Sequence, residues 1–270
     1  MHVLIFVYGV VSYVLFLVAF LYAIAFVGDF AGKDAAAFIP QIVRDFVPKS
    51  IDTGAESSLG LSLAVNIALL ALFAVQHSVM ARPAFKERWM RIIPAAMERS
   101  TYVLLTSLIL FLLYWQWRPL PEAVWSIDNG AVFWGIHALS AIGWLTVLAS
   151  TFMIDHFELF GLKQSYLCLM DREPTPTPFK TVMLYRYVRH PLMLGFIIAF
   201  WAAPVMSGGH LLFAAVITAY VLIAIQLEER DLVASQGEQY REYQRTTPML
   251  LPLPGLGRGS APTDAGESNP

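Results

Sequence analysis

Six apolar runs constrain this chain more than any other feature, at residues 3–27, 59–80, 101–117, 132–154, 192–206 and 211–227. A helix needs about 20 apolar residues to cross a bilayer. Three of the runs reach that length, 101–117 and 211–227 fall slightly short, and 192–206 is shorter still. The last two runs are joined only through Ser207, Gly208, Gly209 and His210, which reads as a tight helical hairpin. Composition agrees with a lipid solvent. The 270 residues are 57% hydrophobic and 14% charged, against about a quarter charged in a soluble domain. The expected fold is therefore all-α: a polytopic membrane bundle of five to six transmembrane segments.

Net charge is −2, which excludes a nucleic-acid footprint. The single Cys168 rules out an intrachain disulfide and a Cys-rich metal site. The first run has no basic residues before it and is too long for a cleaved leader, so it reads as a span. Lys and Arg give the orientation. With the N-terminus inside, the inside loops 81–100, 155–191 and 228–270 carry five, five and four, fourteen in all. The outside loops carry four: Lys33, Arg44, Lys49 and Arg118. That bias predicts an integral membrane protein with both termini cytoplasmic.

Residues 1–254 read as one domain. Within 28–58, the stretch "FIPQIVRDFV" places Phe38, Ile39, Ile42, Val43, Phe46 and Val47 at helical spacing, a short amphipathic cap on the outer interface. The tail 255–270 is rich in Gly, Ser and Pro and is expected to be disordered. Its Gly-rich start is no phosphate loop, because no strand precedes it and no helix follows.

Chemistry concentrates at "YRYVRHPLML" (185–194). Pro191 suits the first turn of a helix, whose backbone donors need no partner. The sixth run ends in "IQLEERDL", and a hairpin brings Glu228 and Glu229 to the end that carries Arg189 and His190. Basic and acidic groups facing each other beside apolar walls suit a zwitterionic, partly apolar ligand. The following "GEQYREYQRTTPMLLP" has the pattern of a helix that folds back as a lid.

These two elements, in this order across 182–252, resemble the C-terminal signature of the isoprenylcysteine carboxyl methyltransferase and phospholipid methyltransferase superfamily. The resemblance implies a cytoplasmic site for S-adenosylmethionine. Tyr187, Val188, Arg189, His190 and Pro191 would line it, and Glu228 and Glu229 would hold its ammonium end. Met193 stands where the family usually has Tyr. Upstream, "VQHSVMARPAFK" (75–86), "ERSTYVLLTSLILFLLYWQWRPLP" (98–121) and "STFMIDHFELFGLKQSY" (150–166) resemble the superfamily's bacterial thiol S-methyltransferases, close to the NnrU-like membrane proteins. That narrower resemblance implies a small thiol substrate, methanethiol methylated to dimethyl sulfide. The alternatives are a lipid or isoprenoid methyltransferase and a non-enzymatic NnrU-like membrane protein.

Methyl transfer from a sulfonium to a thiol needs an in-line approach and a dry site. It is helped by a base, since an ordinary thiol titrates near 8.5. Asp155 and His156 form the densest acid–base pair beside a span, with Asp155 expected to orient His156. His77 is the rival base. Trp115, Trp117, Phe152, Phe157 and Phe160 offer walls for a small pocket, although each singly reads first as belt or core. No metal is expected, because His77, His137, His156, His190 and His210 are scattered. Membrane lipids are the other expected partner, and the bundle is compatible with a homo-oligomer.

Overall fold

The computed structural model describes residues 1–32, 39–173 and 181–252. Among the described residues five helices are long and apolar enough to cross a membrane: α1 (His2–Val27), α3 (Leu59–Ala81), α5 (Ala95–Gln116), α6 (Gly130–Ile154) and α10 (Gly208–Gln236). The chain is an integral membrane protein built as an all-α bundle. Shorter helices punctuate it: α2 (Gln41–Arg44), α4 (Pro83–Trp89), α7 (His156–Leu159), α8 (Leu162–Leu169), α9 (Pro191–Trp201) and α11 (Glu238–Thr246). The two-stranded sheet pairs β1 (Ala123–Ser126) with β2 (Val205–Ser207).

Local chemistry sets several of these boundaries. Pro83 and Pro191 open α4 and α9 at their first turns. Asn129 caps α6 by accepting from the amides of Ala131 and Val132. Ser207 caps α10 through the amide of His210. Gly237, at φ +61, takes the left-handed turn that separates α10 from α11.

The helices close a ring in the order α1, α5, α3, α10, α9, α6. Phe20 of α1 completes it by meeting Trp144 of α6 edge-on, with ring centroids 5.6 Å apart. The closest approach is between α6 and α9. A Cβ on Gly143 would sit 2.6 Å from the Ala199 nitrogen, and one on Gly195 would sit 2.8 Å from the Gly143 carbonyl. Small residues permit backbone contact where lipid supplies no hydrophobic drive between helices.

The run at 192–206 makes a helix too short to cross a membrane by itself, and the chain completes its passage to the start of α10 as a strand, where one continuous helix and a tight turn were expected. α9 has 11 residues, about 16 Å at 1.5 Å per residue. The reason is Pro204, which cannot donate to a helix and turns the residue before it away from helical backbone. The chain continues instead as β2, antiparallel to β1, with Met206 opposite Trp125 and Val205 opposite Ser126. The turn back into α10 still lies at the end of the bundle that carries 118–126, since Gly208 and Gly209 donate to the carbonyls of Glu122 and Leu120.

That end is closed by the segment after α1, so it is called the cap end below. Ile51 is fully buried, and its carbonyl accepts from Trp117 Nε1 at 3.1 Å. Lys49 Nζ donates to the carbonyls of Trp115 and Trp117 at 2.7 and 2.6 Å, satisfying the last turn of α5. Ser207 Oγ donates to Asp52 Oδ1 at 2.5 Å. Burial pushes the Asp52 carboxyl up to about 7, against the Ser207 hydrogen bond. The amphipathic helix expected in 28–58 is a single turn, α2, followed by Pro48. Phe38, Lys33, Lys180 and the tail 255–270 lie outside the described residues.

Candidate active site

At the opposite end, a 3-10 turn (Met183–Arg186) delivers the chain to Arg189 and His190. Their amides donate to the carbonyls of Pro248 (2.9 Å) and Met249 (3.1 Å), so the stretch after α11 is pinned alongside them. Arg189 then ties three elements together. Its Nε and Nη2 meet the two oxygens of Glu229 at 2.6 and 3.2 Å, and its Nη1 caps α11 through the carbonyls of Gln244 and Thr247. The planar guanidinium fork suits this bidentate geometry.

Glu229 is saturated by its surroundings. Besides Arg189 it meets His190 Nε2 (3.0 Å), accepts from Gln244 Nε2 (2.8 Å) and accepts from the Tyr240 hydroxyl (3.3 Å). Its side chain is 9% exposed, whereas that of Glu228 is 47% exposed and approaches His190 Nδ1 only at 3.9 Å. The structure thus brings together Arg189, His190, Glu228 and Glu229, and gives the two glutamates different surroundings. Val188 and Pro191 are buried against this cluster, while Tyr187 points outward and is mostly exposed. The helix at 238–246 does fold back over the cluster, with Tyr243 donating to the Tyr185 carbonyl. A groove of about 250 Å³ opens between α10 and α11 beside Gln226, Glu229, Arg230, Val233 and Gln244.

Asp155 and His156 are neighbours with separate partners. Asp155 caps α7 through the Glu158 amide and pairs with Lys163 Nζ at 2.6 Å. Burial works against its charge, but the Lys163 and Glu158 hydrogen bonds hold its carboxyl below the ordinary range. Lys163 also takes Glu158, at 2.7 Å. His156 is buried, with Nδ1 2.8 Å from Thr151 Oγ1 and Nε2 2.8 Å from the Tyr13 hydroxyl. Phe152 stacks on its ring at 4.2 Å and 5°, and Phe157 and Phe160 meet it edge-on. Burial lowers its basicity. Trp115 and Trp117 belong to the cap end and do not join these aromatics.

His77 of α3 lies in a third place, with the Tyr102 hydroxyl 2.9 and 2.8 Å from its two ring nitrogens. His210 and His137 stand near the cap end. Among the described residues no three His, Cys, Asp or Glu side chains come together as metal ligands. Tyr13, Tyr102, Thr151, Tyr240 and Gln244 were not singled out from sequence. Hydroxyls inside apolar runs, and the i, i+4 spacing of Tyr240 and Gln244 on one helical face, are the signals that mark them.

The family model for the NnrU protein matches residues 65–250. Methanethiol S-methyltransferase 2 of Bradyrhizobium diazoefficiens is 52% identical over 245 residues, covering 91% of this chain and 88% of that protein. Methanethiol S-methyltransferase of Mycobacterium tuberculosis is 52% identical over 248 residues, covering 92% of this chain and 96% of that protein. Nurim of Xenopus laevis is more distant, 31% identical over 177 residues and 63% of this chain. No solved structure matches.

Proposed function

The chain belongs to the NnrU family, alongside its methanethiol S-methyltransferases, and from that premise we propose that it methylates methanethiol to dimethyl sulfide with S-adenosylmethionine as donor. The substrate is supported by about half identity over nine-tenths of the chain to relatives that carry this activity in their names. A lipid or isoprenoid acceptor has no comparable support.

The donor is supported by one observation at the site: Glu228 is a half-exposed carboxylate beside a buried, fully paired cluster. A free carboxylate is what the ammonium of a methionine moiety requires, and the fit is better at Glu228 than at Glu229, whose oxygens are already engaged. The roles divide accordingly. Glu228 holds the ammonium. His190 sits between the glutamates and positions Glu228. Arg189 and Glu229 fasten α9, α10 and α11, so that Val188 and Pro191 form an apolar wall and α11 keeps water out. When bound, the sulfonium supplies an activated methyl group and a neutral leaving group.

Asp155 and His156 act in this reading as positioning groups. The Asp155–Lys163 pair holds the turn between α6 and α8, and His156 stands in that turn between Thr151 and Tyr13. The charged bias of the loops puts the Arg189 end in the cytoplasm, with both termini, in the bacterial inner membrane.

Two measurements test the proposal together. Purified protein given S-adenosylmethionine and methanethiol should release dimethyl sulfide into the headspace, and calorimetry should detect the donor binding. Protein that binds the donor but methylates only lipid would redirect the substrate; protein that does neither would remove the activity.

A further inference from the structure

Three spans converge on one polar cluster that the cofactor site does not use. α3 contributes Gln76, His77 and Ser78, α5 contributes Tyr102 and Thr106, and α10 contributes Tyr220. Beyond the Tyr102–His77 contact, Ser78 Oγ donates to the Tyr220 hydroxyl at 3.2 Å, and Thr106 Oγ1 donates to Gln76 Oε1 at 3.3 Å. Phe73 closes one side, stacked on His77 at 5.3 Å and edge-on to Tyr220 at 6.0 Å. Polar groups inside membrane helices are costly and concentrate where they serve a ligand or a proton path. Here six of them from three helices meet at one level.

The cluster is coupled to the proposed donor site through α10. Tyr220 and Glu228 are eight residues apart on this helix, about 12 Å along its axis and about 80° around it. A donor fixed by its ammonium at Glu228 and extending along α10 would bring its reacting end toward Tyr220 and Tyr102. His156, by contrast, is enclosed by Tyr13, Thr151 and three phenyl rings, with both ring nitrogens occupied.

We propose that the His77–Tyr102–Tyr220 cluster is the acceptor subsite, in which the thiol sulfur lies against His77 and Tyr102 and His77 takes its proton. This rests on the thiol methyltransferase reading. The step balances: the S–H proton passes to the imidazole, and the sulfur lone pair forms the new bond to the methyl carbon. That carbon's old bond breaks with its electron pair left on the donor sulfur. The positive charge of the sulfonium is replaced by one on the imidazolium, so no net charge is created in a low-dielectric interior. Tyr102 is the positioning residue, accepting from or donating to His77 as its protonation changes.

The test compares His77→Gln, Tyr102→Phe and His156→Gln with wild type in three measurements: donor affinity, affinity for ethanethiol in the presence of S-adenosylhomocysteine, and turnover against pH. The titratable groups about His77 are Tyr102 and Arg99 from α5, with Tyr220 of α10 beyond Ser78 and Phe73. Donor affinity should stay within about twofold in all three variants. Turnover should fall about 10²–10⁴-fold in His77→Gln, the usual worth of a general base, and recover partly at raised pH as free thiolate forms. Tyr102→Phe, nearly isosteric, should weaken ethanethiol binding about tenfold, the scale of one hydrogen bond. His156→Gln should keep its thiol affinity. Active wild type with unchanged thiol affinity and turnover in both His77→Gln and Tyr102→Phe overturns the subsite and leaves the methyltransferase standing. Wild type that neither binds the donor nor releases dimethyl sulfide overturns both. Should His77→Gln lose donor affinity as well, Tyr102→Phe decides: selective loss of thiol binding upholds the subsite, and none removes it.

Discussion

Glu228 and Glu229 are adjacent in sequence, yet one helical residue turns the second about 100° from the first. That rotation leaves Glu228 at a half-exposed face and drives Glu229 into contact with Arg189, His190, Tyr240 and Gln244. The two should therefore fail differently. Glu228→Gln removes a charged hydrogen bond to the proposed ligand, worth about 1.5–3 kcal/mol, and should weaken donor affinity roughly tenfold to a hundredfold with the thermal midpoint unchanged. Glu229→Ala strands a buried guanidinium, a loss of about 3–5 kcal/mol, and should lower the midpoint as well as the affinity. Calorimetry and a thermal melt on each variant separate the two effects. Equal melts with equal affinities would contradict this division of roles.

Among elements, the α6–α9 pair and the cap segment carry the clearest consequences. Gly143 and Gly195 allow backbone contact that any Cβ would obstruct. Gly195→Val should force α9 away from α6, lowering the thermal midpoint and displacing His190, which begins the same helix; wild-type stability in detergent would contradict it. At the cap end, Asp52 provides a pH signature. Its folded carboxyl is raised to about 7 from an ordinary 3.8, so the folded state binds the proton more tightly than the unfolded chain. The stability this contributes is complete below the ordinary value and is lost as pH rises through about 7. Thermal midpoints should fall between about pH 5 and pH 8 in wild type, and the Asp52→Asn variant should lose much of that slope. A parallel slope in the variant would assign the effect elsewhere.

For the whole molecule, the arrangement of charge along the chain predicts its placement in the membrane. Reporter fusions within 39–58 and 118–131 should score outside, and fusions in 81–100 and at the C-terminus should score inside. An external C-terminus would overturn the orientation and with it the cytoplasmic donor site. The ring of helices also explains why residues as distant as Tyr13 and His156, 143 apart in sequence, meet inside the protein. Their pairing depends on α1 closing against α6 and on the turn that Asp155 and Lys163 hold.

Solvent, helix content and the general location of the Arg189–Glu229 cluster were legible in the sequence, because each depends on composition or short-range spacing. A run of apolar residues is a span wherever it lies, and a Pro at the first turn opens a helix regardless of neighbours. The early end of α9 was written there too, in Pro204, but apolarity alone read past it. What tertiary structure decided is pairing. Which glutamate is engaged, that Asp155 takes Lys163 and leaves His156 to Thr151 and Tyr13, and that Tyr102 rests on His77 all follow from the rotation of each helix about its axis. That rotation is fixed by contacts such as Gly143 against Gly195 and Phe20 against Trp144, between segments far apart in the chain, and hydropathy along a single segment contains no record of it.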